Sequence, residues 1–225
     1  MQLCNIVCLW QGGPVSHLSL RDRKRAETWA ALHQAAAAKA LESGLDSVHV
    51  DAVAEAAGVS ARTFFNYFAC KEDAVLGLRE PRVEEAMLAD FDIDGDLLEE
   101  VSGLMLSVMR TIQGGEESNQ LRGLVLEKYP FLVHRRFHYV LKVEQLVTAV
   151  VREALAGSAR WRNRSPEVLA KGHTEEDVAR TVVLVAGTGV RYAMQKTWST
   201  PTHEAQLRAL DQGLDLTRSV LKELS

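Results

Sequence analysis

Between Gly44 and Val75 the chain reads GLDSVHVDAVAEAAGVSARTFFNYFACKEDAV, and the two short helices spelled there leave few choices of fold. Val50, Val53, Ala54 and Ala57 recur at three- and four-residue steps, the period of one helix face, and predict a helix over Val50–Ala57. Gly58 ends it, because glycine takes a left-handed backbone without steric cost. Ser60 then offers a hydroxyl to the free amides of a second helix, Ala61–Phe68. Two helices joined by so tight a turn make a helix-turn-helix, whose second helix lies in the major groove of DNA. Ala54 is small where the helices must cross, and Val59, Phe64 and Tyr67 can pack behind them. Phe64, Phe65 and Phe68 are too apolar to face water and are expected to anchor the second helix. That leaves Arg62, Thr63 and Asn66 for its outer face. Arginine suits guanine through a bidentate bond to O6 and N7, and asparagine suits adenine or a phosphate.

With its turn, Ser60, the run Arg62-Thr63-Phe64-Phe65-Asn66-Tyr67-Phe68 and Lys71-Glu72-Asp73, this stretch closely resembles the DNA-binding domain of the tetracycline-repressor (TetR) family. The resemblance covers roughly residues 20 to 80; farther on, only length and helix pattern extend it. It implies that Ser60 heads the DNA-contacting helix, that Tyr67 turns its hydroxyl to the sugar-phosphate backbone, and that Lys71 holds a phosphate. His49 stands where the family usually has threonine, a position that caps its helix and touches a phosphate. An imidazole weakens that cap, although a protonated one can still reach a phosphate. Cys70 sits at the cap of the next helix beside Lys71, where a thiol is either a reactive oxidant sensor or a weak substitute for serine. The resemblance further implies a homodimer paired through the last two helices, reading a palindromic double-stranded DNA operator and released by a small-molecule effector.

Ahead of this stretch, Arg21-Asp22-Arg23-Lys24-Arg25 opens a helix running to about Ser43. Cations at a helix N-terminus oppose its dipole, so folding alone does not ask for Arg21, Arg23 and Lys24 there; a phosphate or minor-groove partner does. Net charge points the same way without deciding: residues 1–79 carry eight basic and eight acidic side chains, so the remainder holds the whole net charge of −4. Residues 1–18 show no sustained period and read as a flexible tail. Cys4 and Cys8 within them have no further metal ligand nearby.

The rest of the chain is helix-patterned. The expected helices are Lys71 towards Ala89 with a break or kink at Pro81, Asp96–Gln113, Asn119–Tyr129, Phe131 to about Ala156, Glu175–Trp198 and Glu204–Leu224. The fold class is therefore all-α with about nine helices: a tail over 1–18, a three-helix helix-turn-helix domain over 19–70, and a helical effector-binding and dimerisation domain over 71–225. Val178, Val182, Val185, Leu207, Leu210, Leu214 and Leu221 offer apolar surface for the dimer. Met105, Met109, Phe137, Leu141, Val185 and Tyr192 are the candidate lining of a pocket for a largely hydrophobic effector.

Other chemistry finds little support. Val182–Val190 ends in Gly-x-Gly, but a dinucleotide site needs a strand, a helix and another strand, and only helix pattern follows. His134 and His138 are spaced for a metal, yet the glutamate of a His-Glu-x-x-His site is absent. No catalytic motif, cofactor or metal is implied. Three cysteines suggest a reducing cytoplasm, and no stretch is apolar enough to span a membrane. The rival reading is a helical interaction protein that keeps the fold without specific DNA binding.

Overall fold

The computed structural model describes residues 19–112, 114–164, 171–197 and 202–224. The tail over 1–18, with Cys4 and Cys8, lies outside them. Eleven α-helices and no strand occur among the described residues: α1 Leu20–Ser43, α2 Val50–Ala56, α3 Ala61–Phe65, α4 Lys71–Leu76, α5 Glu85–Ala89, α6 Leu97–Ile112, α7 Glu116–Lys128, α8 Val133–Gly157, α9 Ala159–Arg164, α10 Glu175–Lys196 and α11 His203–Glu223. The expectation of about nine helices is corrected at two places. The segment from Lys71 to Ala89 is two helices, because Gly77 adopts a left-handed conformation (φ 57°) and the amide of Leu78 returns to the Asp73 carbonyl at 2.9 Å. The segment after α8, expected as loop, contains the short α9.

The first helix organises the N-terminal part. Trp29, Leu32, His33, Ala36, Ala37 and Ala40 form its buried face, and the alanines let α2 and α4 come close. Leu32 is fully buried, so Leu32→Ala carries the usual core cost of about 2–5 kcal/mol. At the far end of α1, Tyr129 donates its hydroxyl to the Ala40 carbonyl at 2.6 Å, and Lys128 donates to that of Leu41. The Ala40 carbonyl also accepts from the Gly44 amide at 3.1 Å, so the Tyr129 bond is a second one to it.

In the larger body, α6 is buried nearly all round, from Val101 to Ile112, as a helix apolar on every side must be. α8 presents a buried stripe at four-residue steps, Tyr139, Val143, Val147, Val151 and Leu155. α10 packs on α6, α8 and α11. Its junction with α11 is closest at glycines: a Cβ placed on Gly213 would lie 3.1 Å from the Gly189 carbonyl oxygen. The Gly187–Gly189 segment is thus a helix-crossing site within α10, and no dinucleotide-binding strand exists there. None of the described helices is long and apolar enough to cross a membrane.

Candidate nucleic-acid interface

The tight turn forms as its residues dictate. Gly58 has φ 68°, and the amide of Val59 bonds the Ala54 carbonyl at 2.9 Å. Ser60 caps α3 by accepting from the amide of Thr63 at 3.1 Å, while its hydroxyl lies 3.0 Å from that of Thr63. Thr63 is therefore half-buried and engaged locally. Phe64 and Phe68 are buried, and Phe68 lies 6.1 Å from the Trp29 ring. They fix the back of the helix to α1.

The front of α3 differs from the sequence reading at two residues, Thr63, which is half-buried against Ser60 and not on the outer face, and Phe65. Arg62 and Asn66 are exposed as expected, but Phe65, taken for an anchor, is 58 % exposed. The reason is angular: residues 62, 65 and 66 stand at i, i+3 and i+4 and share one face, opposite Phe64. That spacing is present in the sequence, and it places Phe65 outside in spite of its hydrophobicity.

The other candidates lie on the neighbouring helices and at their ends. Arg21, Arg23 and Lys24 are exposed on the first turn of α1, whose cap is already provided by Ser19 accepting from the amide of Asp22 at 3.1 Å. His49 is exposed at the head of α2 and makes no cap bond. Tyr67 is half-buried. Lys71 is not simply free for a phosphate: its ammonium donates to the Leu45 carbonyl at 3.1 Å, with two donors remaining. Cys70 makes no cap bond, and burial, first among the causes, pushes its thiol up to about 11. It is a poor thiolate, which favours the serine-substitute reading.

Sequence reasoning missed how α4 is held. His33 of α1 donates through Nδ1 to the Ala74 carbonyl at 2.8 Å. Burial, with help from Arg122 and Arg79, lowers its pKa to about 4, so the ring is neutral. Arg122 of α7 is buried and donates to the Leu76 carbonyl at 2.6 Å and to that of Gly77 at 3.0 Å. Arg135 of α8 holds the fully buried Asp73 through two bonds of 2.6 and 2.7 Å, which raises its own pKa. The guanidinium of Arg79 lies 3.8 Å above the Trp29 ring centroid. A charged Asp73 just before the apolar Ala74-Val75-Leu76 was the one signal in the sequence.

The six candidate pocket residues do not share one environment. Met105 and Met109 are in the core, Val185 and Tyr192 are half-buried, and Phe137 and Leu141 are 55 % and 56 % exposed. A cavity of about 360 Å³ lies elsewhere, lined by Ile93, Asp94, Leu97, Leu98, Arg160 and Trp161 among others. The Trp161 indole N–H is shielded there without a partner. Among the described residues no three of His, Cys, Asp and Glu converge to hold a metal.

Residues 32–76 match the sequence model of the tetR family of bacterial regulatory proteins. The chain is a transcriptional regulator with a TetR-family DNA-binding domain. No curated protein matches the regulator in sequence. A solved transcriptional regulator from Rhodococcus sp. Rha1 aligns with 84 % of this chain and 95 % of its own at 19 % identity and a TM-score of 0.30, too loose a likeness to carry any argument.

Proposed function

We propose that the regulator is a repressor whose homodimer reads a palindromic operator and lets go of it when a small molecule binds the helical body. Residues 19–70 form the reading head and 71–225 the effector-binding and pairing domain. The observation that carries this reading is the outward face of α3, where Arg62 and Asn66 stand exposed on a helix whose opposite side is locked into the core. Arg21, Arg23, Lys24, His49, Ser60, Thr63, Tyr67 and Lys71 supply or brace the contacts around it.

Pairing is supported by apolar residues left uncovered on the last two helices. Leu184, Leu216, Val220, Leu221 and Leu224 are all exposed, and the antiparallel register set by Gly189–Gly213 and Thr188–Thr217 brings Leu184 level with Val220 and Leu221. Leu210 and Leu214, which the sequence offered for the dimer, are used up within the chain against Gly189.

Effector control is supported by α6. Its first turn lines the cavity beside Trp161, and its far end accepts the Arg79 amide at the Ile112 carbonyl (3.0 Å) and the Arg82 amide at the Thr111 hydroxyl (3.1 Å). A rod of about 24 Å thus runs from the cavity to the segment after α4. A ligand releases DNA only to the extent that it binds the non-reading state more tightly.

The test is a fluorescence-anisotropy titration of the full chain against DNA from upstream of its own gene and against a randomised pool. Competitor DNA and two salt concentrations are included, with the Arg62→Ala/Asn66→Ala protein as control. Specific binding lost in the double variant is the expected result. A folded protein that prefers no sequence contradicts the proposal and leaves the interaction-scaffold reading.

A further inference from the structure

Arg62, Phe65 and Asn66 make up the outward face of α3, and Phe65 is the member that this face cannot explain by solvation. Phe65 is 58 % exposed although Phe64, its neighbour in sequence, is fully buried. The ring is not loose. It stands edge-on to Phe64, with centroids 5.4 Å apart and planes at 83°, so the core holds it in place while its outer edge faces water. An aromatic side chain ordered in this way loses little freedom on contact with a partner.

The chemistry of the major groove then decides what such an edge can read. Guanine, cytosine and adenine present donors and acceptors there, and thymine alone adds a methyl group. A benzene ring has no hydrogen bond to exchange with the first three. With α3 taken as the reading helix, as proposed above, we infer that Phe65 reads a thymine methyl, making it a base-specifying residue alongside Arg62 and Asn66. The helix limits where that thymine lies. Residues 62 to 66 span about 6 Å along the axis, which is less than two base-pair rises of about 3.4 Å. The thymine therefore falls within about two base pairs of the base read by Arg62, once in each half-site.

The experiment removes the methyl without touching anything else. The full-length protein selects its operator from a random pool, and each thymine of the selected site is replaced in turn by deoxyuridine. Affinities are measured by anisotropy for the unaltered protein, Phe65→Ala and Phe65→Leu, with circular dichroism to confirm folding. One thymine per half-site is expected to matter, its replacement weakening the unaltered protein about fourfold, the worth of one buried carbon. Phe65→Ala is expected to bind the thymine operator more weakly and to ignore that replacement, and Phe65→Leu to keep part of the effect. If no deoxyuridine weakens the unaltered protein, or if Phe65→Ala responds to the same replacement as strongly, the assignment is wrong. A folded protein that enriches no sequence overturns the DNA-reading proposal itself, a result distinguishable from the other two.

Discussion

His33 makes the junction between α1 and α4 sensitive to acid, and the size of the effect follows from its surroundings. Free in an unfolded chain the imidazole titrates near 6.5; in the folded chain burial, aided by Arg122 and Arg79, brings it to about 4. Between those values the unfolded chain binds a proton that the folded chain refuses. Stability is therefore unaffected above the upper value and falls as pH drops towards the lower one. From about pH 7.5 to about pH 5 this side chain alone costs about 2 kcal/mol. The comparison protein is His33→Asn, whose amide can still donate to the Ala74 carbonyl but does not titrate. Urea unfolding is followed by tryptophan fluorescence at both pH values, Trp29 lying 5.4 Å from the His33 ring. The variant is less stable throughout because it fills the site poorly, so the comparison is between pH-dependent losses. The unaltered protein is expected to lose about 2 kcal/mol more than the variant. Equal losses in the two proteins would refute the reasoning, since carboxylates common to both would then account for the whole acid effect.

Gly77→Ala is expected to cost more than about 2 kcal/mol in thermal or urea unfolding. Its left-handed φ disfavours any side chain, and the new Cβ would lie 2.7 Å from the His33 ring. Arg135→Leu is expected to cost about 3 kcal/mol by leaving the buried Asp73 unpaired, the low end of the usual range because the Arg135 side chain is 36 % exposed. Unfolding titrations check it, and Asp73→Leu/Arg135→Leu together should lose less than Arg135→Leu alone. Arg62→Ala is expected to relax preference at one base pair by roughly 1–3 kcal/mol, read by repeating the pool selection; equal loss on operator and random DNA would contradict its base-reading role.

Local rules carried the sequence reading furthest. Gly58 and Ser60 act within a few residues, so their turn and cap could be written down from neighbours alone. α6 reads as central because Leu97, Val101, Leu104, Met105, Leu106, Val108, Met109 and Ile112 put apolar side chains nearly all round it. What depended on distant partners was not legible. Lys71 looks like a free cation until the Leu45 carbonyl is seen beside it. Gly77 looks like an ordinary residue of a longer helix until its conformation and the His33 ring against it are known. Arg122 and Arg135 gave no local signal at all, because the carbonyls and the carboxylate they hold lie more than forty residues away in sequence. Phe65 is a different case, where helix angle and side-chain chemistry point opposite ways and the angle wins.

The three-way grip on α4 bears on how this regulator can be taken apart. In sequence, Cys70–Lys71 looks like the seam between a reading head and a body. In the structure, the helix just past that seam is held by His33 on one side and by Arg122 and Arg135 on the other. The head is thus no interchangeable cartridge. Cutting near residue 80 exposes Asp73 and strips the end of α4 of its donors, so the fragment inherits a helix whose bracing stayed behind. A chimaera that gives this head a relative's body has to bring matching arginines with it, and a shuffled gene that does not will fail at the joint while both halves look intact.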